Sequence, residues 1–163
     1  FLKEYWNSNT NNKNTIIFNS NHRCRLDWLF IWPIFVRLNL EKYLIIVSRI
    51  FLIKIPLFGW ALQWIGILLH RKWEKDKYTF INLLKYLIGF DKKVCLLFYP
   101  EGTDLWLKSI EKSNKFAAKN NLPMNKYVIY PRSKGLQEII KNALKDNIYC
   151  IFDCIVYYKD YIK

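Results

Sequence analysis

The stretch from Thr15 to Phe30 reads TIIFNSNHRCRLDWLF, and it carries the pattern that decides the fold. Its first residues, Thr15–Asn19, are mostly β-branched or aromatic, which is typical of a short strand. Polar residues follow, and from Asp27 to Leu38 the chain is apolar nearly all round. Such a stretch predicts a helix that is buried in protein or touches lipid. Strand, loop and helix in succession form the repeating unit of α/β proteins.

The remaining sequence continues this alternation of strands and helices. The predicted strands are Thr15–Asn19, Tyr43–Ser48, Gly66–His70, Val94–Phe98 and Tyr149–Tyr157. The predicted helices are Asp27–Leu38, Pro56–Trp64, Asp76–Ile88 with Asp76 as its N-cap, Lys112–Asn120 and Leu136–Leu144. We therefore predict an α/β fold, a mainly parallel or mixed sheet flanked by helices, built as a single domain over residues 1–163.

The composition points to a folded protein with an anionic partner. The chain is 52% hydrophobic and carries a formal net charge of +13, which favours nucleic acid, an acidic membrane surface or a phosphate-bearing ligand. The longest uncharged run, Ile55–Leu69, is shorter than the roughly 20 residues of a membrane-spanning helix. We expect the chain to be part of a longer, membrane-associated protein. The spacing of the four cysteines fits neither a zinc site nor a C-x-x-C pair, so a reduced, intracellular setting is the simplest account.

Polar clusters follow three of the predicted strands. His22 follows the first, Arg71 follows the strand that ends at His70, and Glu101-Gly102-Thr103 follows Val94–Phe98. In open α/β sheets, ligands bind beyond the carboxyl ends of the strands. The three clusters are therefore expected to converge on one rim.

His22 and Asp27 are the candidates for acid–base chemistry. Five residues apart, they would point in different directions on one ideal helix. They can meet if His22 lies on the turn before the helix and Asp27 lies in its first turn. An Asp that accepts one imidazole N–H leaves the other ring nitrogen free to take a proton from a hydroxyl. The alternative is a loop His bonded to a helix-capping Asp, with no chemistry.

The other two clusters fit the binding of an anion. Gly102 lets the backbone approach a ligand, and exposed N–H groups there can hold a phosphate or a developing oxyanion. Arg71 is a natural phosphate clamp. Taken alone, the first is equally an ordinary turn after a strand, and the second a solvated Arg.

Together these residues resemble the glycerophospholipid acyltransferase family, which includes the 1-acylglycerol-3-phosphate acyltransferases. His22–Asp27 matches the H-x4-D motif of that family, Leu68-Leu69-His70-Arg71 its second block, and Tyr99-Pro100-Glu101-Gly102-Thr103 its third. NHRCRLDWLF (21–30) and YVIYPRSKGL (127–136) are most similar to the lysocardiolipin acyltransferase branch. The similarity extends from about Ile17 to Tyr158.

The resemblance implies a function and a set of site residues. It implies transfer of a fatty acyl group from acyl-CoA, as co-substrate, to the free hydroxyl of a lysophospholipid, with His22 as general base and Asp27 as its partner. Substrate-binding residues would be Asn21, Arg71, Glu101, Gly102, Thr103 and Arg132. No metal or cofactor is expected. The expected partners are the two substrates and a membrane surface rather than nucleic acid, at the endoplasmic reticulum or, alternatively, a mitochondrial membrane.

Two departures from the family pattern bear on the acceptor and on activity. Asp104 stands where the third block normally ends in Arg, which removes one phosphate-binding cation and favours a phosphodiester acceptor over lysophosphatidic acid. The fourth block normally carries a Pro, and Ile151–Tyr158 has none, so no site residue is predicted there. Alternative functions are a catalytically inactive lipid- or membrane-binding module of the same fold and, from charge and aromatics, a nucleic-acid binder.

Overall fold

The computed structural model describes residues 15–69, 73–89 and 93–159. The strands are β1 (Thr15–Ser20), β2 (Leu44–Arg49), β3 (Gly66–Leu69), β4 (Val94–Phe98) and β5 (Ile148–Cys154). The α-helices are α1 (Asp27–Arg37), α2 (Phe58–Ile65), α3 (Trp73–Gly89), α4 (Leu107–Lys119) and α5 (Ser133–Ile139). Two short 3-10 helices lie at Glu41–Tyr43 and Ile50–Lys54, and α5 runs on into a π-helical turn, Ile140–Leu144.

The five strands form one sheet in the order β3-β2-β4-β1-β5. Every strand pair in it is parallel. The α/β prediction is confirmed, and among the described strands the sheet is parallel rather than mixed. Parallel neighbours require crossover connections, which the intervening helices supply.

Helices cover both faces of the sheet. Side chains alternate along β1, so Ile16 and Phe18 pack with α1, whereas Ile17 packs with residues of α3 and α5. The connections from β1 to β2 and from β2 to β3 run in the same direction across the sheet. Because crossovers between parallel strands are right-handed, this direction places α2 on the same face as α1. Buried apolar residues therefore form two cores, one on each side of the sheet.

The strand order creates a crevice between β1 and β4. These strands are neighbours, yet the chain leaves β1 towards α1 on one face and leaves β4 towards the helices on the other. Ligands of parallel α/β sheets bind where neighbouring connections diverge in this way, at the carboxyl ends of the strands. His22 and Glu101 follow these two strands.

Several predicted boundaries differ from the observed ones. Asp76 lies within the first turn of α3, which begins at Trp73, so its prediction as the N-cap is wrong. The helix predicted from Lys112 begins at Leu107, since the amide groups of Ser109 and Ile110 already bond the Trp106 carbonyl. Among the described residues, no helix is both long and apolar enough to span a bilayer.

Replacing Phe35 with Ala should test the core under α1. Phe35 is fully buried and meets the ring of Phe18 edge-on at 4.8 Å between centroids. We expect Phe35→Ala to lower the free energy of unfolding by about 3–5 kcal/mol, because the change leaves a cavity. Urea denaturation measures the loss. Phe51→Ala is the control, since Phe51 is 53% exposed, and a similar loss in both variants would contradict the assignment.

Candidate active site

The imidazole of His22 and the carboxylate of Asp27 are in contact. His22 lies on the loop after β1 and Asp27 is the first residue of α1. Nδ1 of His22 lies 2.9 Å from Oδ2 of Asp27. The loop therefore brings together two side chains that one continuous helix would hold apart, as the spacing required.

Asp27 is fully buried and surrounded by hydrogen-bond donors. Besides His22, its Oδ2 accepts from the backbone amides of Arg23 at 2.6 Å and Cys24 at 3.0 Å. Burial raises the pKa of Asp27, but hydrogen bonds from His22, Tyr158 and Cys24 outweigh it, so the pKa lies below its usual range. The carboxylate is ionised at neutral pH, and its position at the start of a helix favours the same charge.

The contact with Asp27 decides how the imidazole can act. An ionised carboxylate only accepts hydrogen bonds, so Nδ1 of His22 carries the proton and Nε2 is left as an acceptor. The ring stacks on Tyr99, with centroids 4.5 Å apart, and remains 19% exposed. The imidazole is thus held on one face while a basic nitrogen remains available.

Glu101 connects three segments around His22. Its side chain is 6% exposed and accepts a hydrogen bond from the His22 amide at 3.3 Å and another from the Ile129 amide. Burial raises the pKa of Glu101 to about 7, although these bonds oppose the shift. In the described structure its carboxyl group therefore holds the loop after β1 against the turn after β4.

Arg132, just before α5, lies beside Gly102 of that turn. Gly102 has a φ of +67°, a conformation that favours glycine. A Cβ added there would lie 3.8 Å from Cδ of Arg132, and the Arg132 amide donates to the Pro100 carbonyl at 2.8 Å. Arg132 therefore lies beside the Glu-Gly-Thr turn, and its role in binding the acceptor stays a prediction.

Arginines gather around Thr103 and Asp104. Arg25 Nε lies 3.3 Å from the Asp104 carboxylate, and Arg49 donates to the Thr103 hydroxyl at 3.2 Å. Burial lowers the pKa of Arg49; Asp104 opposes this, and the charges of Arg25 and Arg132 add to it. The three guanidinium groups are therefore close enough to repel one another, which an anionic ligand would relieve.

The segment after β5 completes the site. The Tyr158 hydroxyl donates to Oδ1 of Asp27 at 2.6 Å. The Asn21 side chain bonds both backbone groups of Val156, donating to its carbonyl at 3.0 Å and accepting from its amide at 2.7 Å. Asn21 thus fastens this segment beside the loop that carries His22.

A family model described as Acyltransferase matches residues 3–156. The chain belongs to the acyltransferase family. The resemblance that the three sequence blocks indicated is confirmed.

Curated acyltransferases are similar over most of the chain. Lysocardiolipin acyltransferase 1 of Gallus gallus is 41% identical over 143 residues, which are 85% of this chain and 37% of that protein. Lysophosphatidylinositol acyltransferase 10 of Caenorhabditis elegans is 34% identical, over 85% of this chain and 36% of the relative. A probable 1-acyl-sn-glycerol-3-phosphate acyltransferase 5 of Arabidopsis thaliana is 30% identical, over 88% and 38%. The chain thus spans less than two fifths of the length of these relatives. No solved structure matches.

The predicted site residues have different places in the structure. His22, Asp27, Glu101, Gly102 and Thr103 meet at the ends of β1 and β4, as predicted. Their catalytic and substrate-binding roles stay predictions. The Asn21 side chain bonds the backbone, as described above, and Arg71 lies outside the described residues. Within the described ranges, no group of three His, Cys, Asp or Glu side chains could hold a metal ion.

Arg49 and Tyr158 were missed by the sequence analysis. Arg49 is the last residue of β2, and the predicted strand stopped one residue earlier, so its place at the carboxyl rim went unnoticed. No site residue was assigned in Ile151–Tyr158, and the structure places Tyr158 of that segment in direct contact with Asp27. Tyr158 also lies just beyond the segment that the family model matches. Asp104, which stands where the third block normally has Arg, is paired with Arg25 and partly neutralises its charge.

An open groove of about 700 Å³ adjoins the site. Its lining includes Cys24 and Tyr158 next to Asp27, and Leu26, Phe30 and Trp106 further away. The groove therefore extends from the buried carboxylate to apolar side chains around the start of α1.

The stability of the protein should depend on pH through Asp27. Since the folded-state pKa of Asp27 is depressed, its ionisation stabilises the fold above the unfolded pKa of about 4, and the effect is lost as the pH falls through the folded pKa. We expect Asp27→Asn to lower the free energy of unfolding by about 1–3 kcal/mol at neutral pH, because its amide faces backbone donors.

The difference in the free energy of unfolding between wild type and Asp27→Asn should become smaller below pH about 4. Urea denaturation across a pH series measures it, with Asp146→Asn as the control because Asp146 is exposed. A difference of the same size at neutral and acid pH would contradict an ionised, hydrogen-bonded Asp27.

Proposed function

We propose that this chain is the catalytic part of an O-acyltransferase that moves a fatty acyl group from acyl-CoA to the free hydroxyl of a lysophospholipid. The observation that carries the proposal is the His22–Asp27 contact at the divergence of β1 and β4. An imidazole bonded through Nδ1 to an ionised carboxylate leaves Nε2 to act as a general base on a hydroxyl.

The reaction then proceeds by direct attack. Nε2 of His22 takes the proton of the acceptor hydroxyl while its oxygen attacks the thioester carbonyl. Asp27 stabilises the imidazolium that forms. The carbon–sulfur bond breaks, CoA leaves as a thiolate, and the imidazolium returns the proton to its sulfur. The products are the acylated lipid and free CoA, and His22 is again neutral.

Cys24 does not compete as the nucleophile in this mechanism. Its thiol donates to Oδ1 of Asp27 at 3.2 Å, which requires the protonated form. Burial raises its pKa further above the usual value. Since the thiolate is the reactive form of cysteine, this environment disfavours an acyl-enzyme on Cys24.

The arginines around Thr103 support a phosphate-bearing acceptor. Arg25, Arg49 and Arg132 present positive charge beside the Glu-Gly-Thr turn, and one carboxylate, Asp104, lies among them. Such a partly neutralised cluster suits a singly charged phosphodiester better than a dianionic phosphate. The names of the lysocardiolipin and lysophosphatidylinositol acyltransferases among the relatives point to acceptors of that kind. Arg71 remains a proposed further phosphate ligand.

The acceptor and the acyl donor are proposed to reach the site from a membrane surface. Large apolar side chains are exposed on α1, on the segment before α2 and on α2 itself, on one side of the sheet. This surface, called the apolar face below, comprises Leu29, Phe30, Ile34, Phe51, Leu57 and Trp60. Leu57 is 78% exposed and has a φ of +60°, so a strained backbone conformation places its apolar side chain in solvent.

The charges around the apolar face fit an anionic bilayer. From Trp28 to Leu69 the sequence contains Arg37, Lys42, Arg49 and Lys54, and Glu41 is its only acidic residue. Exposed apolar residues with cations nearby are typical of proteins that bind the membrane interface. The groove beside Phe30 would lead an acyl chain from this face towards His22. The endoplasmic reticulum is the proposed location, and a mitochondrial membrane is the alternative.

His22→Gln tests the chemistry. We expect it to reduce CoA release by at least a hundredfold, because general-base catalysis typically contributes that much, while circular dichroism and the unfolding midpoint stay close to wild type. CoA release with oleoyl-CoA is measured against a panel of lysophospholipids, which also identifies the headgroup. A folded His22→Gln protein with wild-type turnover would refute the mechanism.

Vesicle binding by a wild-type chain that releases no CoA would support an inactive lipid-binding module instead.

The introduction of negative charge into the apolar face tests membrane binding. Burying one large apolar side chain is worth about 1.5–3 kcal/mol, so Leu57→Glu combined with Trp60→Glu should weaken binding to vesicles containing phosphatidylglycerol by more than tenfold. Co-sedimentation measures it. The control, Leu83→Glu, changes a partly exposed residue of α3 on the other side of the sheet. Equal binding by the double variant and the control would contradict this assignment.

A further inference from the structure

Tyr158 contacts Asp27 from a distant part of the chain. The other donors, His22, Arg23 and Cys24, lie within five residues of the carboxylate. Tyr158 is 131 positions away and binds Oδ1 rather than the oxygen that faces the imidazole. At 2.6 Å, a hydroxyl bound to an ionised carboxylate is a short, charge-assisted hydrogen bond.

The Tyr158 bond constrains the rotation of the carboxylate. A carboxylate held only at one oxygen can turn about its terminal torsion, which has broad minima. Oδ1 accepts from the amide and thiol of Cys24 at 3.1 and 3.2 Å, and the Tyr158 hydroxyl adds the shortest bond to it, at 2.6 Å. Since Oδ2 is bound to the Arg23 amide, both oxygens of Asp27 are fixed. Oδ2 then lies where Nδ1 of His22 meets it at 2.9 Å.

Tyr158 is held in place through its ring and through the backbone of the segment that carries it. Its ring meets the ring of Phe30 on α1 edge-on, with centroids 5.5 Å apart. Two residues earlier, the backbone of Val156 is bound on both sides by the Asn21 amide. Burial and the neighbouring Asp27 raise the pKa of Tyr158 above its usual range, so the hydroxyl stays protonated and remains a donor.

We propose that Tyr158 is a positioning residue, whose hydroxyl fixes the Asp27 carboxylate so that it holds His22 in the tautomer with Nε2 free. The role in turnover rests on the acyl transfer proposed above. The Asn21 amide serves the same end, since it fastens the segment that carries Tyr158. Asn21 would therefore act on the site through the backbone and not by touching the substrate.

Tyr158→Phe removes the hydroxyl and keeps the ring against Phe30. We expect kcat for CoA release to fall by about tenfold, the effect of one lost hydrogen bond to a charged group, with KM for the acyl donor within about twofold. The acid limb of the pH–rate profile, which reports protonation of the coupled His22–Asp27 pair, should move to higher pH. The Asp27 carboxylate, having lost a donor, then stabilises a proton on its imidazole partner more strongly. A residue that only supports the fold would not move this limb.

Tyr157→Phe is the matched control. Tyr157 is the neighbouring tyrosine and is 69% exposed, so its variant should keep wild-type kcat and pH profile. Wild-type kcat together with an unshifted acid limb in Tyr158→Phe would overturn the proposal.

A spectroscopic readout separates this proposal from the acyl-transfer proposal. Nitrogen-15 NMR of the imidazole reports which ring nitrogen carries the proton, and a His70→Gln background leaves His22 as the only histidine. We expect His22 to be protonated at Nδ1 in wild type and to show a mixture of tautomers in Tyr158→Phe. An unchanged tautomer in Tyr158→Phe overturns the positioning role even if wild type proves inactive. If wild type releases no CoA but Tyr158→Phe shows the expected change of tautomer, only the acyl-transfer proposal is refuted.

Discussion

A carboxylate without solvent exposure lies at the first residue of α1, and the surrounding structure is arranged to keep it charged. Removing an ion from water costs several kcal/mol unless hydrogen bonds replace the lost hydration. At Asp27 these bonds come from two backbone amides, an imidazole, a thiol and a phenol. The need to supply hydrogen-bond donors to Asp27 therefore determines the course of the loop after β1. It also requires the segment after β5 to lie against the Asp27 carboxylate.

The same loop connects the charged group to the rest of the rim. The amide of His22 is bound by Glu101, whose side chain also receives the Ile129 amide. Glu101 thus stabilises the relative positions of three segments, together with the bonds from Arg23 to the Tyr127 carbonyl and from the Arg132 amide to the Pro100 carbonyl. The Glu-Gly-Thr block contributes through this framework as much as through groups that face outwards. The His22 imidazole, the Asp27 carboxylate and a cluster of guanidinium groups are consequently held in one crevice of the sheet.

Features encoded locally were predictable from the sequence, and features that depend on strand order were not. Val94–Phe98 was predicted to the residue, because a short apolar run between polar residues admits few other interpretations. The His22–Asp27 contact followed from spacing once a strand and a helix flanked it. Arg49 lies 54 positions from Thr103, and the Tyr158–Asp27 bond spans 131 positions. No periodicity specifies such pairs, since they exist only when β2 and β5 take their places on either side of β4 and β1.

The position of β5 has a consequence for how the protein is made. This last strand pairs with β1, the first, so one side of β1 has no partner until residues 148–154 have left the ribosome. Tyr158 emerges later still, and Asp27 is buried beneath it only then. Because domains are synthesised from the N-terminus at about 5–20 residues per second, the nascent chain spends several seconds with an incomplete sheet and a solvated carboxylate. The contact network around His22 and Asp27 is thus completed only after residue 158 has been synthesised.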